Sequence, residues 1–105
     1  MTTLQKFINI LLECCPATYH KEAFQEQAEY IVWHEVGCKT FYADNYRASE
    51  PAMIAVDFFT KNEFSEIPAR IKQAFREYEI AYRGPEIIYI PELDVTQYAY
   101  TVELV

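Results

Sequence analysis

At 105 residues with a formal net charge of −7, the chain has the length of one domain and room for one modest core. About half of it is apolar and about a quarter charged, an ordinary globular balance. Nine Lys and Arg in total, with no basic run, exclude a phosphate-gripping nucleic-acid surface. The three cysteines, Cys14, Cys15 and Cys38, are odd in number, include an adjacent pair and form no CxxC. That pattern suits a reducing cytoplasm better than a disulfide scaffold. No secretory leader is legible at the start of the sequence, and no apolar run approaches the roughly 18 residues needed to span a bilayer. Two glycines leave the turns to Asn, Asp, Ser and Pro, while nine Tyr and seven Phe favour sheets and interfaces.

Residues 3–15 carry apolar side chains at helical spacing: Leu4, Phe7, Ile8, Leu11, Leu12 and Cys15. Thr2 with Gln5 forms a capping box, and Pro16 ends the helix. In that reading Cys15 is a small core hydrophobe and Cys14 lies on the flank. Ala17–His20 reads as a short edge strand, and Lys21–Ala28 as a loop or a single helical turn. Glu29–Val36 alternates Tyr30, Val32 and His34 against Ile31, Trp33 and Glu35, a strand. Gly37-Cys38-Lys39 reads as a hairpin turn into Thr40–Ala43, with a further turn at Asp44-Asn45. Glu50-Pro51 marks the entry to the next strand.

In Ala52–Thr60, Ile54, Val56 and Phe58 make the core face. Met53, Ala55, Asp57 and Phe59 make a face that is partly open or covered by another subunit. Ser65–Tyr78 is the second helix, with Ile67, Ile71, Ala74, Phe75 and Tyr78 on one side. Ser65 serves as N-cap and Pro68 falls in the first turn. Ile80–Tyr82 leaves as extended chain, Gly84-Pro85 breaks it, and Ile87–Ile90 resumes it. A turn at Pro91–Asp94 leads to Thr96–Leu104, where Tyr98, Tyr100, Val102 and Leu104 alternate against polar neighbours. The predicted class is α+β: one domain over residues 1–105, a mostly antiparallel sheet of about four to five strands, and two helices on one face.

No chemistry stands out. Cys14, Cys15, His20, His34 and Cys38 match no zinc-finger or ribbon spacing. A Cys–His nucleophile would lack an oxyanion loop and a flanking signature. The carboxylate pairs Glu26/Glu29, Glu77/Glu79 and Glu92/Asp94 read as solvated faces of an acidic protein. No catalytic, cofactor or metal residue is assigned, which leaves interaction as the expected role. The residues assigned to self-association or a partner are Trp33, Phe41, Tyr42, Asp44, Asn45 and Asp57, with Trp33 and Asp57 on an outward strand face.

The order Tyr30-Ile31-Val32-Trp33, then Phe41-Tyr42-Ala43-Asp44-Asn45, then Phe58-Phe59-Thr60-Lys61, between an opening helix and a closing Tyr98–Leu104 strand, carries a resemblance. Across nearly its whole length the chain resembles the small tail terminator (tail completion, head–tail joining) proteins of long-tailed bacteriophages and prophages. The resemblance implies a non-catalytic virion protein that forms a homohexameric ring on the tail tube and stops its growth. The implied partners are copies of itself, a tail tube protein and a head connector protein. It implies no membrane and no sequence-specific nucleic acid, with DNA passing through an acidic bore. It implies assembly in the host bacterial cytoplasm and residence in the tail or neck of the virion. Tyr46–Ala52 departs from the highly charged stretch expected after the Tyr-Ala-Asp-Asn word. The other reading is a small cytoplasmic α+β adaptor or ligand-binding domain, dimeric through its sheet.

Overall fold

The computed structural model describes residues 3–22, 28–38 and 52–104. Within them the order is α1 (Leu4–Cys14), β1 (Thr18–His20), β2 (Glu29–Cys38), β3 (Ala52–Thr60), α2 (Ile67–Glu77), β4 (Ala81–Ile90) and β5 (Val95–Glu103). The five strands form one sheet in the order β1-β2-β3-β5-β4. Three ladders are antiparallel and the β1–β2 ladder is parallel, so the α+β sheet is mixed. The helix α2 carries the chain from the end of β3 to β4, which runs parallel to β3 with β5 inserted between them.

α1 begins where Thr3 takes an extended conformation and the Lys6 N–H donates to its side chain at 3.1 Å. The cap is therefore Thr3, not Thr2. The helix buries Phe7, Ile10, Leu11 and Cys14, whereas Leu12 is exposed and Cys15 is the C-cap. The apolar stripe is thus turned from the expected one, and Cys14 lies inside rather than on the flank. α2 starts at Ile67, two residues later than expected. Glu66 is its N-cap without a side-chain bond, and Ser65 Oγ accepts the Ile67 N–H at 3.2 Å from one position further out.

α2 ends in a Schellman motif. The Ile80 N–H bonds the Phe75 carbonyl at 2.8 Å, the Glu79 N–H bonds the Arg76 carbonyl at 3.2 Å, and Ile80 is buried. Glu79 supplies the left-handed residue at φ 54°, a conformation in which glycine is the least strained choice.

Cross-strand register separates two faces. On one, Ile31 pairs Phe58, which pairs Tyr98, and Trp33 pairs Val56, which pairs Tyr100. These side chains join Phe7, Leu11, Ile71 and Phe75 in a single core. Phe75 sits at its centre, with ring centroids 4.9 Å from Tyr82 and 5.9 Å from both Phe7 and Tyr100. Thr60, the one buried polar residue of the described core, donates to Glu29 at 2.9 Å and accepts the Asn62 N–H at 2.9 Å.

Two expectations are corrected here. Gly37 and Cys38 belong to β2, where they pair Met53 and Ala52 beyond a bulge at Val36, instead of forming a turn. Gly84-Pro85 does not break β4 into two pieces. The two residues together oppose Tyr100 as a bulge, and the ladder resumes at Glu86 opposite Ala99. Gly84 is required there, since its φ is +106° and a Cβ would lie 2.7 Å from the Ala99 carbonyl oxygen. The expected strand Thr40–Ala43 lies outside the described residues.

Phe75→Ala, which empties the centre of the core, is expected to lower the unfolding free energy by about 3–5 kcal/mol in denaturant titration. Glu79→Gly, which relieves the left-handed position, is expected to raise it by roughly 1 kcal/mol in the same assay.

Candidate functional site

The second face of the sheet carries no helix or strand among the described elements. Register lays out three rows across it: Tyr30–Phe59–Gln97–Ile88, Val32–Asp57–Ala99–Glu86, and His34–Ala55–Thr101–Arg83. The alternation that sends Ile54, Val56 and Phe58 inward sends Met53, Ala55, Asp57 and Phe59 here, all half-buried. Tyr30 and Phe59 stack with centroids 5.0 Å apart at 22°. Gln97 donates to Asp57 at 3.0 Å, which satisfies one carboxylate oxygen amid apolar neighbours. The surface is mixed in character and carried on paired strands.

Of the residues assigned to association, Asp57 lies on this face. Trp33 does not. It pairs with Val56 on the helix side, is only 6% exposed, and is covered by the His20 ring stacked on it at 3.9 Å and 9°. An outward face shared by Trp33 and Asp57 is therefore ruled out, because successive strand residues alternate and Asp57 pairs with Val32. Phe41, Tyr42, Asp44 and Asn45 lie outside the described residues.

His20 is held from its other side by Glu35, with Nε2 2.9 Å from Oε1. This contact holds the Glu35 carboxyl below its usual range, the hydrogen bond from His20 being the main cause. It fastens the short parallel strand β1 to β2. The pair is exposed, so it clips an edge rather than forming a reactive centre.

The thiols of the α1 terminus are equally unreactive in setting. Burial, together with the neighbouring Glu13, pushes the Cys14 thiol up to about 11, and burial likewise raises Cys15. A raised thiol holds little thiolate at neutral pH, the opposite of what a nucleophile needs. Among the described residues no group of three or more His, Cys, Asp or Glu converges for a metal ion, and no helix is long and apolar enough to cross a membrane.

The described residues line depressions in the surface. One, of about 200 Å³, lies at the end of the open face between Met53, Arg83, Thr101 and Glu103. A wider one of about 530 Å³ lies beside Cys15, Tyr19, Glu29 and Arg70.

The part of the surface that sequence reasoning passed over is the β4–β5 hairpin. Ile87, Ile88 and Tyr89 are exposed there on the last strand of the described sheet, and Leu93 is exposed in the turn that follows. Its signal was present as an unbroken Ile87–Ile90 run between two prolines.

Comparison of the chain with family models, with curated proteins and with solved structures returned no match.

Cys14 and Cys15 are expected to resist a thiol reagent at pH 8 in the native protein and to react fully in denaturant. Site-resolved mass spectrometry after alkylation reads this directly.

Proposed function

We propose that the protein is a non-catalytic structural subunit that associates with copies of itself into a ring, of the tail terminator kind. The observation that carries this reading is the open sheet face, five strands wide and half apolar, with the Tyr30–Phe59 stack and Asp57 in it. A one-sided α+β layer leaves such a face for another surface to cover, and a second subunit is the cover that the resemblance in the Tyr30–Trp33 and Phe58–Lys61 words favours. Repeated around a ring, individually weak contacts become jointly strong. A net charge of −7 suits a bore through which DNA passes without adhering. In this role one rim meets a tail tube protein and the other a head connector.

The depression at Met53, Arg83, Thr101 and Glu103 favours the second reading, a small adaptor or ligand-binding domain dimeric through its sheet. At about 200 Å³ it is smaller than the roughly 300–1,000 Å³ of most small-molecule sites, whereas the depression of about 530 Å³ beside Cys15, Tyr19, Glu29 and Arg70 falls within that range.

Native mass spectrometry at high protein concentration is expected to yield a closed ring series centred on a hexamer. Ala55→Lys, placing a charge in the middle of the open face, is expected to abolish it while leaving the circular dichroism unchanged. An Ala55→Lys protein that assembles like the parent would sink the reading.

A further inference from the structure

The β4 edge is a second exposed surface, apart from the open face. β4 is the last strand of the sheet, and all its residues but Tyr82 and Ile90 are exposed. Natural edge strands are commonly blunted by a proline, a bulge or an inward charge. Here those devices sit together at Gly84-Pro85 and go no further. Beyond them Glu86–Ile90 is a regular strand with Ile87, Ile88 and Tyr89 in solvent, 61%, 40% and 58% exposed. The hairpin tip adds Leu93, 53% exposed.

The charges around this strip are arranged in a way that names its occupant. Arg83 stands at one end, Glu86 lies within the strip, and Glu92 and Asp94 stand at the other, all exposed, with Asp94 accepting the Tyr89 hydroxyl at 2.8 Å. No Lys or Arg follows Arg83 in the sequence. A strand with a cation at one end and carboxylates at the other is complementary to itself when run antiparallel.

We propose that two copies of the chain pair antiparallel through β4, about a two-fold axis at Ile88, extending the sheet across both. In that register Ile88 meets its own counterpart, and Ile87 meets Tyr89 of the partner copy on the helix side. Arg83 reaches the partner's hairpin tip, between its Glu92 and Asp94. Neighbouring registers are worse. An axis at Tyr89 sets Glu86 against Glu92 of the partner copy, and an axis at Ile87 sets Tyr89 against Pro85, which has no N–H to give. A shift by one residue brings opposite faces together. Each copy also offers the outward backbone groups of Glu86–Ile90, so the contact combines ladder hydrogen bonds with burial of apolar side chains and two charge pairs at its ends. The contact is isologous, uses no residue at the centre of the open face, and stands apart from the ring reading.

Sedimentation equilibrium of the full chain in the Ala55→Lys background isolates this contact, since the ring surface is disabled there. A reversible two-copy species is expected. Ile88→Lys is expected to shift its dissociation constant by more than about tenfold toward monomer, and Arg83→Glu by about tenfold with the loss greatest at low salt. The exchanged pair Arg83→Glu/Glu92→Lys is expected to recover the parental value. Circular dichroism confirms that each exposed substitution leaves the fold intact. A monomer at every concentration, a dimer indifferent to Ile88→Lys, or an exchange that fails to rescue would each overturn the proposal. A monomer would also leave the edge to a strand of a different protein. The ring reading is judged separately, by the parent protein and Ala55→Lys alone.

Discussion

The aromatic ring of Phe75 is the constraint on which the other elements lean. It is fully buried and touches Phe7 on the other helix, Tyr82 on β4 and Tyr100 on β5. Because it sits one turn from the end of α2, its position fixes where that helix stops. The Schellman bond from the Ile80 N–H then closes on its own carbonyl and turns the chain into β4. Ile80 packs into the same core at the exit, so the turn and the core specify each other. Burial around this ring also raises the Tyr100 hydroxyl, which stays protonated and neutral inside the core.

A core gathered to one side of a single sheet has a direct structural outcome. Two helices are enough to cover the central strands, and nothing among the described elements covers the opposite face. On that face the Tyr30 and Phe59 rings stack across the strands. Asp57 is tolerated there because Gln97 supplies a hydrogen bond across the strands. The ends of the sheet differ in kind. β1 is three residues long and fastened by the His20–Glu35 contact, while β4 is ten residues long and has no strand of the described sheet on its outer side.

The helices, the faces of β3 and the alternation of β5 were legible because each has a long period that burial enforces. The α+β class followed from them. What was not legible depended on neighbours. The stripe of α1 includes Ile10 and Cys14 in place of Leu12, since it is the approach of α2 and the sheet that selects which side turns inward. β1 is too short for any pattern to reveal that it pairs in parallel. Gly84-Pro85 carries the local signal of a break, yet a bulge absorbs it because Ala99 and Glu86 re-form the ladder. For the candidate site the shortfall was register. Alternation placed Trp33 with Ile31, but only the pairing of Trp33 with Val56 shows that it lies across the sheet from Asp57. The hairpin surface needed the strand order, since a run such as Ile87–Ile90 reads equally well as a buried strand until its place at the end of the sheet is known.

The unequal lengths of the two edges bear on how the protein avoids uncontrolled polymerisation. Amyloid-like growth requires that each added strand leave a fresh template of similar length behind it. The proposed two-fold pairing consumes the Glu86–Ile90 edge of both copies at once, and what remains at either end is the three-residue β1, lying beside β2 only as far as Trp33. Such a stub offers too few backbone groups to seed another layer. The proline and bulge at the far end of β4 likewise prevent the ladder from creeping past Glu86. Under the proposed pairing the sheet doubles in width and stops there, although Ile87, Ile88 and Tyr89 lie open to solvent in the single chain.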